Sequence, residues 1–115
     1  MLMLIDNEKN KDWAQAPEAE IQATMDEHIA FAEYLGKRGT AFSGEALGPT
    51  DTATTVRPSP DGLVTTDGPF VELTEFIGGF YIVEAADLDE ALEIARHCPM
   101  ASAIEVRPIW ETPEV

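Results

Sequence analysis

The sequence predicts one α+β domain in which two helices interrupt a series of short strands. Three observations lead there. Two stretches, 17–39 and 87–99, carry helix signals at both ends. Short apolar or β-branched runs precede and follow each of them. At 115 residues, 44% hydrophobic and 25% charged, the chain has the size and composition of a single globular domain.

Met1 to Ile5 is an apolar run of buried-strand length, followed by a polar loop from Asp6 to Gln15 with Trp13 as its one large apolar residue. Pro17 suits a first helical turn, and Glu18 and Glu20 complement the positive end of the helix dipole. Ile21, Met25, His28, Ala32 and Leu35 recur at spacings of four and three, one face of a helix. Lys37 and Arg38 fall in its last turn and Gly39 ends it. Ala41 to Leu47 reads as a second strand, closed by Gly48-Pro49.

Ala53 to Arg57 and Leu63 to Thr66 are β-branched runs joined by Pro58-Ser59-Pro60-Asp61-Gly62, a hairpin signal. The turn Asp67-Gly68-Pro69-Phe70 follows, then a short irregular or helical piece through Ile77. Gly79 to Ala85 is apolar on both faces and is expected to be a central strand. Gly78-Gly79 precedes a strand and lacks the lysine of a phosphate loop, so it reads as a close approach or a bulge. Asp87-Leu88-Asp89-Glu90 has capping-box spacing, and the helix it opens ends before Pro99. Ala103 to Ile109 is the last strand.

Strand, helix, strand, inserted hairpin, strand, helix, strand is two βαβ units in tandem. This is the ferredoxin-like arrangement, with both helices on one face of an antiparallel sheet. Phe80, Tyr81, Ile82 and Val83 cannot all lie beneath those helices, so the second face needs a cover. A homodimer whose sheets pack face to face is the expected solution for so small a core.

Seven Lys and Arg against 22 Asp and Glu give a net charge of −15. A field of that sign repels phosphate backbones and anionic headgroups, so neither nucleic acid nor a membrane surface is an expected partner. The lone Cys98 precludes an internal disulfide and a multi-cysteine metal site. The apolar opening lacks the basic flank and length of a signal peptide, and a cytoplasmic location is expected.

Six segments occur together in the right order: Asp26-Glu27-His28-Ile29-Ala30-Phe31, Gly44-Glu45-Ala46-Leu47, Thr66-Asp67-Gly68-Pro69-Phe70, Gly78-Gly79-Phe80-Tyr81, Asp87-Leu88-Asp89-Glu90-Ala91 and Glu105-Val106-Arg107-Pro108. Together they resemble the YCII-related proteins of the subgroup named for its Asp-Gly-Pro-Phe turn. The resemblance implies a ferredoxin-like subunit that pairs into a dimeric α+β barrel. It also implies a cleft where a histidine of the first helix approaches an aspartate of a later loop, here His28 and Asp67.

On that basis His28 is expected to be a general base and Asp67 the carboxylate that selects its tautomer. The blander alternatives are a core histidine satisfied by a backbone carbonyl and an Asx-turn aspartate. Glu45, Phe70 and Arg107 complete the expected ligand-binding set, Phe70 as an apolar wall and Arg107 as an anchor for an anionic group. For Arg107 an ion pair with Glu105 or Glu45 is the competing role. Cys98 reads as packing and His97 as an exposed helix-end residue. His28, Glu45 and Asp67 match no recognised metal-ligand spacing, so neither metal nor cofactor is expected. Two functions from different classes follow: a cofactor-free enzyme that moves a proton on a small organic substrate, and a dimeric module that binds a small molecule or partner without turnover.

Overall fold

The computed structural model describes residues 1–7, 17–70 and 75–111. Its elements are β1 (Leu2–Asn7), α1 (Glu18–Arg38), β2 (Phe42–Ala46), β3 (Thr54–Ser59), β4 (Gly62–Asp67), β5 (Glu75–Val83), α2 (Leu88–Ala95) and β6 (Ala103–Val106), with one 3-10 turn at Thr50–Thr52. Most of the expected loop after β1, including Trp13, lies outside the described residues; Asp6 and Asn7 belong to β1.

Local chemistry sets the helix ends. Pro17, expected inside the first turn of α1, is the residue just before it. Its φ of −55° suits a helix but its ψ of 142° does not, and its carbonyl accepts from the N–H groups of Glu20 and Ile21. At the other end Gly39 takes the left-handed conformation (φ 76°). The Gly39 N–H donates to the Gly36 carbonyl and the Thr40 N–H to that of Leu35, a Schellman closure. In α2 the Asp87 carboxylate accepts from the Glu90 N–H at 2.9 Å, while the Glu90 side chain reaches back to the Ala86 N–H at 3.0 Å. The box is reciprocal, though displaced by one residue on the return bond.

Strands β2, β5, β1 and β6 lie side by side in that order, every neighbouring pair antiparallel. Both helix-containing connections, β1 to β2 and β5 to β6, therefore join parallel strands that are not neighbours. β5 is central, as its two-sided apolar run predicts. It starts earlier than expected, at Glu75, so residues 75–77 are strand rather than irregular or helical; residues 71–74 lie outside the described ones. The register slips between Leu4 and Ile5, opposite Gly78, so the paired glycines mark a bulge. β6 stops at Val106, short of the expected Ile109, because Pro108 has no N–H for the ladder.

The core lies between the sheet and both helices. Leu2, Phe31, Leu35 and Ile94 are fully buried, joined by Ala95 and Cys98, with Leu4, Tyr81, Val83, Ile104 and Val106 packed against them. The burial of α1 departs from the expected apolar stripe at two positions. Phe31 takes a buried place that the stripe did not include, and Met25 is 53% exposed. The sheet beneath that end of the helix explains it. Gly44, Ala46 and Gly79 occupy adjacent positions on β2 and β5 and offer almost no side chain to pack against.

Among the described residues β3 and β4 pair only with each other, in register from Thr54↔Asp67 to Ser59↔Gly62 around a Pro60-Asp61 tip. Pro58 is tolerated because each strand is an edge. Every residue of β4 is exposed.

Candidate functional site

A cleft of about 440 Å³ opens where the glycines leave space under α1. Met25, His28, Ile29 and Ala32 form its helical wall; Leu4, Gly44, Ala46, Gly79 and Tyr81 lie on the sheet side. The volume falls in the range of small-molecule sites, and apolar groups dominate the lining.

The polar centre is a pair. His28 Nδ1 lies 2.7 Å from the Tyr81 hydroxyl, and the two rings are nearly parallel with centroids 5.8 Å apart. α1 places His28 one turn from the buried Phe31, so its ring hangs at the border between core and cleft. Tyr81 projects from the central strand on the core side, and its ring and that of Phe31 form a T-shaped pair with centroids 4.9 Å apart and planes at 79°. Gly44 lets the phenol ring lie flat over β2. A Cβ there would stand 2.6 Å from the Phe80 carbonyl oxygen and 2.7 Å from Tyr81 Cδ1.

Burial shapes the protonation of both partners. Desolvation holds the His28 imidazole below its ordinary 6.5, only partly offset by the negative charge of Glu27. Desolvation also raises the Tyr81 phenol above its ordinary 10, with a smaller contribution from Cys98. At neutral pH the pair is a neutral imidazole and an intact phenol.

The other expected site residues are dispersed. Glu45 lines the cleft, but it pairs with Phe80 and so puts its side chain on the sheet face away from the helices. Asp67 closes β4 opposite Thr54. Among the described residues its carboxylate has no hydrogen bond or ion pair, with His28 or otherwise. The turn after it is held by backbone and Thr55: the Gly68 N–H donates to the Ala53 carbonyl at 2.8 Å and the Thr55 hydroxyl to the Gly68 carbonyl at 2.7 Å. Phe70 is 70% exposed, with the Arg57 guanidinium 4.9 Å above its ring.

Arg107 follows β6 directly and is ion-paired with Glu105 at 2.9 Å, the competing role named for it from sequence. It borders a second, larger depression of about 1120 Å³ with Arg38, Glu84, Asp87 and Glu90, which shares no residue with the His28 cleft. Arg38 there is held by Glu90 at 3.3 Å, so both guanidiniums have carboxylate partners. Cys98 is buried, and burial pushes its thiol up to about 12, which makes it packing rather than a nucleophile. His97 stacks on Tyr34 at 4.0 Å and stands 3.6 Å from Glu93. Among the described residues no three His, Cys, Asp or Glu side chains converge on a point that could hold a metal ion, and no helix is long and apolar enough to cross a membrane.

Tyr81 is the residue that sequence reasoning missed, because it sits in a run that reads as uniformly apolar. A signal was present: a tyrosine in a central strand needs a partner for its hydroxyl, and the stripe of α1 offers one polar side chain.

A four-stranded antiparallel sheet, two helices on one of its faces and a histidine–tyrosine pair in the cleft under the first helix define a small α+β domain with one well-formed polar centre. The chain belongs to the YCII-related domain family, which it matches over residues 1–113. It is also 43% identical over 67 residues to an uncharacterised protein of Rhizobium meliloti (strain 1021), a match covering 55% of this chain and 54% of that protein. The chain thus matches about half the length of that curated relative.

Proposed function

We propose that this YCII-related domain binds a small organic molecule in the α1–sheet cleft and that His28, paired with Tyr81, performs acid/base chemistry on it. The observation that carries this reading is the 2.7 Å His28–Tyr81 contact inside a mostly apolar cleft of about 440 Å³. An imidazole that is neutral and half-buried is poised for proton transfer, and such transfer needs no cofactor.

The reading includes a dimer and a fold assignment. The strand order β2-β5-β1-β6 with both helices on one face supports a ferredoxin-like subunit carrying an inserted hairpin. Ile82, exposed beside Phe80 on the opposite face, and a hairpin with Val56, Leu63 and Val64 exposed, support closure by a second copy into a dimeric α+β barrel. The Asp67–Phe70 turn supports the subgroup named for it. An Asp67 contact with the imidazole would then be made between subunits. Asp67→Ala would shift the His28 ring resonances of the dimer, and unmoved resonances remove Asp67 from the site.

A second reading is binding without turnover. Among the described residues no carboxylate bonds the imidazole, which favours it. One screen separates the two from each other and from neither. Small aromatic and carbonyl compounds are tested for a rise in melting temperature, since a ligand of the native state stabilises by mass action. Hits are then compared on wild type, His28→Ala and Ala32→Phe, the last filling the cleft. A hit that Ala32→Phe abolishes supports the site, and conversion of that hit by wild type but not by His28→Ala supports catalysis. Hits that stabilise Ala32→Phe as well as wild type, or an empty screen, would remove the cleft from the function.

A further inference from the structure

We infer that Tyr81 locks His28 in the tautomer that carries its proton on Nε2, so the cleft presents a hydrogen-bond donor and selects a neutral, apolar-bodied ligand bearing a carbonyl or similar acceptor. The inference rests on the cleft being the ligand site, and it gives His28 the acid side of the proposed chemistry, a hydrogen-bond donor to the ligand's acceptor atom, in place of the base expected from sequence. A base held by Asp67 would offer a bare ring nitrogen. A histidine held by Tyr81 offers an N–H.

The geometry decides which way the bond runs. Nδ1 and the phenol oxygen are 2.7 Å apart, a hydrogen-bond distance, so one of the two supplies the proton. A neutral imidazole has one donor nitrogen and one acceptor nitrogen, and the bond made by one fixes the state of the other. A phenol gives up lone-pair density to its ring, which makes it a better donor than acceptor, whereas the unprotonated imidazole nitrogen is a strong acceptor. Tyr81 therefore donates to Nδ1, and Nε2 keeps its hydrogen. Were the direction reversed, the phenol hydrogen would need another acceptor, and among the described residues Tyr81 has no second hydrogen-bond partner. Burial of both groups keeps each in the neutral form that this arrangement requires.

Two features hold the arrangement. Phe31 packs against the Tyr81 ring in a T-shaped pair, and the bare Cα of Gly44 leaves room for that ring over β2. The rest of the lining defines the ligand. Met25, Ile29 and Leu4 accept an apolar body, and among the described residues no Lys or Arg lines the cleft to pair with an anion in a protein of net charge −15. A donor in such a setting matches a neutral acceptor, since a buried N–H left unpaired is costly and an anion would lack a counter-charge.

The tautomer is read without any ligand. In protein labelled with ¹⁵N-histidine, long-range ¹H–¹⁵N correlation spectra at neutral pH distinguish protonated from bare ring nitrogens. The expected result is a bare Nδ1 and a protonated Nε2 for His28, with Tyr81→Phe relaxing it toward a mixture. A protonated Nδ1 in wild type, or a spectrum indifferent to Tyr81→Phe, would overturn the assignment. The ligand class is tested separately with acetophenone, ethylbenzene and benzoate by NMR titration. Acetophenone is expected to bind about 2- to 10-fold tighter than ethylbenzene, the effect of one neutral hydrogen bond, with benzoate weakest and the advantage lost in Tyr81→Phe. Equal affinities, a preference for benzoate or no binding by any of the three refutes the ligand class even when the tautomer is as inferred. Binding that survives Ala32→Phe refutes the cleft itself.

Discussion

The His28–Tyr81 pair depends on a residue with no side chain. Gly44 has an ordinary φ, so its glycine is required by space rather than by backbone conformation. Gly44→Ala is expected to push Tyr81 off its ring position and cost about 1–3 kcal/mol, the usual penalty for forcing a methyl into a packed site. Urea denaturation measures the loss, and disappearance of the His28 tautomer bias in the same variant ties it to the pair. The imidazole makes a second prediction. Its folded value lies below its ordinary 6.5. Between those values the unfolded chain binds a proton that the folded chain does not, so this contribution to stability falls as pH drops through that window and is complete above it. Stability measured at pH 7.5 and 5.5 should fall less in His28→Gln than in wild type. An equal fall would mean that His28 titrates alike in both states. His28 was legible in the sequence because it interrupts an apolar stripe. Tyr81 was hidden because only folding brings position 81 against position 28.

The helices show how far local signals carry. Both were legible from caps: Gly39 for the end of α1, and Asp87 with Glu90 for the start of α2. Removing the latter cap with Asp87→Ala should cost about 0.5–2 kcal/mol, since the Glu90 N–H at 2.9 Å loses its acceptor. Thermal or urea unfolding checks it, and a change near zero would mean that water replaces the carboxylate without loss. What the helical period could not convey is that α1 uses its face unequally. Phe31 and Leu35 seal the core, while Met25 and Ile29, both about half exposed, overhang glycines. The periodicity of a helix describes its own surface, and whether that surface is buried depends on what a distant strand places beneath it. The early start of β5 was missed for a related reason. Its ladder with Ile5 to Asn7 supplies pairing that the local residues do not announce.

At the scale of the molecule, the radius of gyration is 16.6 Å, with extents of 52 × 46 × 19 Å. A compact chain of this length has a radius of about 13 Å. The excess fits the lone hairpin, since a two-stranded sheet exposed on both sides is marginal by itself. The proposed closure by a second copy would cover the exposed hairpin and the face that carries Phe80 and Ile82 together. Wild type is therefore expected to sediment as a dimer. Ile82→Glu, which sets a charge on that face, should give a folded or partly folded monomer, because an unpaired carboxylate in an apolar interface is strongly disfavoured. A monomeric wild type, or an Ile82→Glu protein that remains dimeric, would remove the face-to-face arrangement.

The sequence by itself determined the kinds of element, most of their order, the ends of both helices, the acidic balance of the chain and the place of His28 on the apolar stripe of α1. These follow from short-range chemistry: caps, turn residues and periodicity act over a few positions and need no partner. The tertiary structure decided the rest. It set Tyr81 rather than Asp67 on the imidazole within the chain, turned the side chain of Glu45 to the far face, paired Arg107 with Glu105 and opened a cleft over Gly44 and Gly79. Each of these joins residues far apart in the chain or depends on strand register, where a shift of one residue exchanges the faces of a sheet. Composition and spacing carry no record of that register.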